Sequence, residues 1–172
     1  MKIKTLQFCF IATVLILLLS GCKTIRGGGW IESSTGEGKA TFGINITKKK
    51  CKYYGGFTYH DHGKMYETAD GKMQHLSLKA WVDTNSPLLA GGGCDNQSLD
   101  DQSLENHITY DFTYQARYDK SGEEGYGTIE FWDANRSKSA DEKDRLCINI
   151  YFGPYAGYSN CNYLGGGNLT IF

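Results

Sequence analysis

A strict alternation of apolar and polar residues across positions 107–118 is the feature that most limits how this chain can fold. Apolar side chains occupy every second position, so one face of the segment is continuous and largely aromatic. They are Ile108, Tyr110, Phe112, Tyr114, Ala116 and Tyr118. A period of two residues is that of a β-strand with one buried face, and no helical period fits this pattern. The segment predicts a strand packed on an apolar core.

The same period recurs in other segments that glycine, proline or charged turns separate. Residues 122–127, which include three glycines, are expected to be one such turn. Ala40, Phe42, Ile44 and Ile46 share one face of such a segment, and Leu76, Leu78, Ala80 and Val82 share one face of another. Many short strands of this kind predict an all-β fold. We expect an antiparallel β-sandwich, with a small β-barrel as the alternative, behind a cleaved N-terminal signal helix. The sandwich is favoured because bulky side chains fill the inward faces and about seven strands are enough.

The first 21 residues have the composition of an export signal. Lys2 and Lys4 precede an uncharged apolar run over residues 5–18, and the small residues Ser20 and Gly21 follow it. A basic start, an apolar stretch and small residues before a cleavage point are typical of a secretory signal peptide. The run falls short of the roughly 20 residues that a helix needs to span a bilayer. We therefore predict a signal peptide at residues 1–21.

Leu19-Ser20-Gly21-Cys22 resembles the bacterial lipobox, in which the cysteine is acylated and the signal is cut before it. The resemblance implies that Cys22 carries the lipid and begins the mature protein. Two or three acyl chains at one site anchor a protein stably to a membrane. Lys23 follows where the lipobox rule associates Asp with the inner membrane, so the implied location is the outer membrane of the bacterial envelope. The domain would face either the periplasm or the surface.

The rest of the chain divides into a short linker and one domain. Residues 22–29 are expected to be the lipidated cysteine and a glycine-rich flexible tether, and residues 30–172 a single β-domain.

Removing residues 1–21 removes Lys2 and Lys4 and no acidic residue, so the net charge goes from −1 to −3. That balance argues against nucleic acid as a partner, because such partners require a basic surface.

Four of the six cysteines remain once Cys9 is removed with the signal and Cys22 is acylated. In an exported protein an even set predicts disulfides, and four cysteines allow three pairings. A bond from Cys147 to Cys161 would join two neighbouring late strands and leave Cys51 to pair with Cys94. A zinc site is the alternative, but no two of these cysteines have C-x-x-C spacing.

Several stretches are similar to an exported bacterial β-domain family, post-COAP-1. Its first two strands resemble residues 28–31 with 38–43 and residues 55–63, and its last two resemble residues 144–148 and 164–171. The resemblance implies a small exported sandwich with no established catalytic residue or ligand, in which Asp61 and His62 form a structural pair at a strand end. Residues 140–143 read Ala-Asp-Glu-Lys where the family has a Gly-Glu-Pro-Gly turn.

Three histidines are the main candidates for chemistry. His60 and His62 lie two positions apart on the outward face of one predicted strand, and His75 lies on the outward face of the next. Imidazoles in this arrangement can chelate a transition metal. Exposed histidines are also common on sheets, so both readings stay open.

Four acidic residues lie close together in the sequence and either bind Ca²⁺ through their carboxylate oxygens or form a solvated loop. Their spacing is not that of an EF-hand. They are Asp133, Asp141, Glu142 and Asp144. The chain contains no G-x-S-x-G elbow and no P-loop, which are the motifs that would predict a serine nucleophile or a bound phosphate.

Aromatic residues outside the predicted core could form a surface that binds a protein or a glycan, because aromatic rings combine large contact area with a polar edge. Their positions in loops would equally explain them. The candidates are Tyr54, Trp132, Tyr155 and Tyr158, with Tyr151 and Tyr163 also outside the predicted core.

The sequence predicts a non-enzymatic, membrane-anchored lipoprotein of the cell envelope that acts as a binding or structural module. We expect no cofactor, a membrane contact through the lipid, and an envelope protein or glycan as partner. The alternative is a secreted metal-dependent hydrolase that uses His60, His62 and His75. A third class is an inhibitor or a surface-masking protein.

Overall fold

The computed structural model describes residues 24–49, 52–82, 107–117, 123–134 and 143–171, and within them the fold is all-β. Eight antiparallel strands follow one another around a closed barrel in chain order. They are β1 (Thr24–Glu32), β2 (Lys39–Lys49), β3 (Lys52–Glu67), β4 (Met73–Val82), β5 (His107–Ala116), β6 (Glu124–Trp132), β7 (Arg145–Phe152) and β8 (Ser159–Ile171). Among the described residues, no helix is long and apolar enough to cross a membrane.

The alternation read from the sequence is confirmed by burial. The predicted inward residues of β2 and β4 are buried, from Ala40 at 0% exposed to Phe42 at 7%, and so are Tyr110, Phe112 and Tyr114 of β5. Ile108 and Ala116 are partly buried against this core, and Tyr118 lies outside the described residues. Aromatic rings meet edge to face across the interior, with ring centres 4.9 Å apart for Phe57 and Phe112 and 5.0 Å apart for Tyr53 and Tyr110. All eight strands contribute buried apolar side chains. The barrel interior is therefore a packed hydrophobic core.

The sandwich prediction is wrong, and the barrel alternative is correct, because of β1. This strand pairs with β2 along its whole length and also with β8, so the sheet closes on itself. The tether expected at residues 22–29 is therefore corrected from Thr24 onward: Gly27, Gly28 and Gly29 are strand residues. Alternation looks the same in a sandwich and in a barrel, and only the long-range pairing of β1 with β8 separates the two.

Two glycines expected in a turn at residues 122–127 instead make room for core aromatics. Gly125 and Gly127 face inward in β6, directly opposite Tyr114 and Phe112 of β5. A Cβ at Gly125 would overlap the Tyr114 ring, and one at Gly127 would lie 2.9 Å from the Phe112 ring. The large side chains of β5 thus occupy the space that side chains at these two positions of β6 would otherwise fill.

The predicted pairing of Cys147 with Cys161 is confirmed. The two residues lie directly opposite each other on β7 and β8 and form a disulfide. Cys51 and Cys94, as well as the signal peptide and Cys22, lie outside the described residues.

The segment between β7 and β8 closes one end of the barrel. Tyr155 and Tyr158 are each 3% exposed, so their predicted place in a binding surface is wrong. The Tyr155 hydroxyl donates to the Ser77 carbonyl oxygen at 3.1 Å, and the Tyr155 amide donates to the Tyr114 hydroxyl at 2.9 Å. Both tyrosines fold back into the barrel mouth, where the hydrogen bonds of Tyr155 offset the cost of burying its hydroxyl.

Replacing Gly125 with alanine should destabilise the barrel by about 1–3 kcal/mol, because the new methyl group overpacks against Tyr114. The matched control is Gly43→Ala in β2, where a Cβ would meet only the Thr58 Oγ1 at 3.5 Å. That control should stay within about 0.5 kcal/mol of wild type. Urea unfolding measures both, and equal midpoints for the two variants would contradict the packing described here.

Candidate functional site

A basic trough lies on the outer surface of β2 to β5. It has a volume of about 800 Å³. Gly43 and Ser77 form its floor, and longer polar side chains surround them: Thr41, Thr58, His60, His62, Lys79, Gln115 and Arg117. These residues meet because outward positions lie side by side on adjacent strands, as in the row Gly43, Thr58, Lys79 and Gln115. The trough is thus a product of strand register.

The charges that line the basic trough all have one sign. Among the described residues that form it, His60, His62, Lys79 and Arg117 are basic and none carries a carboxylate. Burial lowers the pKa of His60, and the nearby His62, His75 and Arg117 lower it further, while Asp61 acts in the opposite direction. His60 therefore stays neutral at neutral pH. An anion entering the trough would favour its protonated form.

The three candidate histidines lie together, as their predicted faces require. The ring centres of His60 and His62 are 4.0 Å apart, and His75 lies 6.0 Å from His60 and 6.3 Å from His62. Three imidazoles on one tetrahedral metal would have centres about 5 Å apart, given metal to nitrogen distances near 2 Å. The described residues nevertheless contain no group of three or more His, Cys, Asp or Glu arranged to hold a metal ion. Metal binding here stays a prediction.

A second hollow of about 530 Å³ continues the basic trough toward β1. Gly43, Thr58 and Lys79 line both. Trp81 borders the second hollow and is 38% exposed, with the Lys79 ammonium 5.3 Å from its ring centre. Gly56 lies directly opposite Trp81 on β3, so no side chain of that partner fills the space beside the ring. No sequence motif marks Trp81, Lys79 or Arg117 as part of a site.

Asp61 lies on the other side of the same wall and is fully buried. Its two shortest hydrogen bonds come from the Ser33 and Tyr158 hydroxyls, each at 2.6 Å. Burial alone would raise the pKa of Asp61, but these hydrogen bonds and those from backbone amides outweigh burial and hold the pKa below its ordinary value. The remaining donors are the Ser34 amide and hydroxyl and the amides of Gly63 and Lys64.

The Asp61 network ties together three parts of the barrel end. It joins the turn after β1 to β3, where pairing with β4 shifts register between Asp61 and Met65, and to Tyr158 beside β8. Tyr158 also shares a 2.7 Å hydrogen bond with the Tyr59 hydroxyl, which accepts from Asn160 Nδ2 at 2.9 Å. Burial raises the pKa of both tyrosines. Because the network is buried and satisfied, we assign it a structural role.

Two of the acidic candidates for Ca²⁺ binding lie among the described residues, and both carboxylates accept hydrogen bonds from backbone amides. Asp144 accepts from the amides of Ala134 and Leu169, each at 2.9 Å, and Asp133 accepts from the Ile171 amide at 2.8 Å. Pairing of β7 with β8 extends no further along β8 than Tyr163, so these carboxylates take over as acceptors for the end of β8. Asp141 and Glu142 lie outside the described residues.

The remaining surface aromatics are spread over the barrel. Trp132 is stacked between His107, with ring centres 4.1 Å apart, and the Arg145 guanidinium, 4.8 Å from its ring. Both faces of Trp132 are thus covered, which removes it as a stacking platform for a ligand. Tyr54 is 48% exposed on β3, whereas Tyr126, Tyr151 and Phe152 form a separate exposed group on β6 and β7.

No family model, curated protein or solved structure matches this chain. The resemblances to the lipobox and to post-COAP-1 therefore stay predictions.

Replacing Asp61 with asparagine should cost about 1–3 kcal/mol at neutral pH, because an amide group would then face several donors. Since the folded pKa of Asp61 is depressed, its stabilising effect is complete above its unfolded pKa of about 3.9 and is lost as pH falls through the folded value. Urea unfolding from neutral to acidic pH should show the two proteins converging. A difference that grew toward low pH would contradict the depressed pKa.

Asp70→Asn is the matched control for this experiment. Asp70 is exposed and pairs with Lys72 at 2.7 Å. Exposed ion pairs contribute little to stability, so this variant should unfold at nearly the wild-type urea concentration.

Proposed function

We propose that the protein is a membrane-anchored lipoprotein of the cell envelope whose barrel is a non-enzymatic binding module for an anionic ligand. The observation that carries the proposal is the basic trough, in which four basic side chains meet with no carboxylate among the described lining residues. The chain as a whole is slightly acidic, with a net charge of −1. The positive charges of Lys79 and Arg117 at this place therefore favour an anion.

The polar groups in the trough suit recognition without catalysis. Thr58 and Gln115 offer neutral hydrogen-bonding groups beside Lys79. Charged hydrogen bonds to an anion are stronger than neutral ones, and Arg117 can offer two parallel donors to one oxyanion. No nucleophile and base in hydrogen-bond contact stand in the described lining of the trough, which supports a binding role over a hydrolytic one.

Attachment to a membrane is supported by the sequence and by the place where the barrel starts. Cys22 precedes the first residue of β1, Thr24, by two positions. An acyl group on Cys22 would hold that end of the barrel against the bilayer. The basic trough lies on the side wall, where it would stay open to ligands beside the membrane.

A metal-dependent hydrolase remains the second candidate because the rings of His60, His62 and His75 lie within 6.3 Å of one another. Metal analysis of the purified protein, with His60→Ala as comparison, tests this function. Stoichiometric metal that is lost on substitution would favour it over the binding module.

The lipid anchor predicts a mature protein that begins at Cys22 and carries acyl chains. Mass spectrometry of the N-terminal peptide from native protein should show the mass of the acylated cysteine. Cys22→Ser should abolish acylation and processing, so this variant should keep residues 1–21 and lack the mass of the acyl chains. A native protein that retains residues 1–21 or a free Cys22 thiol would disprove the anchor.

The trough predicts that tripolyphosphate binds the mature barrel and that Arg117→Gln weakens this binding by about tenfold, the effect of losing one charged hydrogen bond. Affinity for sulfate, which keeps its full charge in this range, should rise as pH falls from about 7 to about 5, because protonation of His60 adds positive charge at the trough. Calorimetry measures both effects. Lys72→Gln is the control, because Lys72 pairs with Asp70 and does not line the trough. Equal affinities for all three proteins would refute the binding site.

A further inference from the structure

The basic trough and the second hollow form one extended surface with different chemistry at its two ends. Trp81 stands at one end, His60 and Arg117 at the other, and Lys79 between them. In register, the row of Gly56 and Trp81 is followed two residues along by Thr58 and Lys79, and then by His60 and Ser77. At about 3.3 Å per residue the outer rows are roughly 13 Å apart. This extent suits a chain of linked units rather than a single small ion.

The floor of this surface is open because its central positions lack side chains. Gly28 and Gly43 are paired on β1 and β2, and Gly43 is paired in turn with Thr58 on β3. A Cβ on Gly43 would meet only the Thr58 Oγ1, at 3.5 Å, so the space above Gly43 belongs to the surface and not to a neighbouring strand. A ligand can therefore approach the backbone closely here.

The exposed chemistry fits sugar rings that carry carboxylates. Trp81 offers an apolar aromatic face with a polar edge, which suits the mixed surface of a pyranose ring. Asn45 and Thr58 offer groups that hydrogen-bond to hydroxyls, and Lys79 stands close enough to Trp81 to reach a carboxylate on a ring stacked there. An aliphatic ligand would leave these polar groups unsatisfied. A neutral glycan would make no charged contact with Lys79.

We infer that this extended surface binds an acidic oligosaccharide. One sugar ring of this ligand lies against Trp81, and carboxylates of the ligand contact Lys79 and Arg117. The inference rests on the proposed function and adds the class of ligand to it. It requires the aromatic group and the basic groups to act on the same molecule.

The test measures binding of tetragalacturonate to the mature barrel by calorimetry, with the fully methyl-esterified tetramer as the uncharged match. Wild type should bind the acid form at least about tenfold more tightly than the ester, since each lost charged contact costs that much. Lys79→Gln and Trp81→Ala should each weaken binding of the acid form by about tenfold. For the ester, Trp81→Ala should weaken the residual binding and Lys79→Gln should leave it unchanged.

Gly43→Leu supplies a test that removes no interacting group. A Cβ at Gly43 meets no backbone atom of another strand, and the rest of a leucine side chain would extend into this surface. The urea midpoint should therefore stay near the wild-type value while tetragalacturonate binding falls by at least about tenfold. Tyr126→Ala is the aromatic control, because Tyr126 is 52% exposed on β6 and lies outside this surface. It should bind the tetramer like wild type.

The outcomes separate this inference from the proposed function. If tripolyphosphate binds through Arg117 but tetragalacturonate binds no better than its ester, or Trp81→Ala has no effect, the acidic glycan is wrong and the anion module stands. If neither anion binds, both fail. Tighter binding to a single-stranded oligonucleotide or to phosphatidylglycerol vesicles than to tetragalacturonate would also overturn the glycan assignment.

Discussion

The pairing of β1 with β8 is the contact on which the rest of the barrel depends. It runs from Ile25 opposite Ile171 to Ile31 opposite Leu164 and joins residues at opposite ends of the described chain. Without it the sheet would have two edges, and the interior side chains that β1 and β8 cover would meet solvent. Asp133 and Asp144 support the same closure, because they accept amides from the last residues of β8. The contact has high sequence separation, so it forms only at the entropic expense of closing a long loop.

One strand, β3, serves both sides of the wall. Its inward residues Tyr59 and Asp61 belong to a buried, fully hydrogen-bonded network, while its outward residues Thr58 and His60 line the basic trough. The network fixes the backbone of β3 at the irregularity after Asp61, and the backbone in turn sets where the outward side chains stand. Rigid positioning of binding groups by a packed core is how a sheet surface becomes specific.

Local pattern predicted the strands and faces well, because alternation reports burial on one side of a strand directly. The inward residues of β2, β4 and β5 and the outward face of His60 and His62 follow from it. The local pattern does not predict features that depend on contacts between residues far apart in the sequence. The glycines of β1 have the local pattern of a tether and those of β6 that of a turn, since nothing in the neighbouring sequence reveals a partner strand or an aromatic ring opposite. Lys79, Trp81 and Arg117 were missed because they gather with His60 only through register.

A closed barrel also has consequences for a protein held at high local density. Strand edges with unpaired amides and carbonyls can template sheets between molecules, and edge-to-edge growth is a hazard for crowded β-proteins. In the described barrel every strand has a neighbour on both sides. If the chain is anchored as proposed, copies that lie side by side at a membrane would meet mainly through side chains and not through unpaired strand edges.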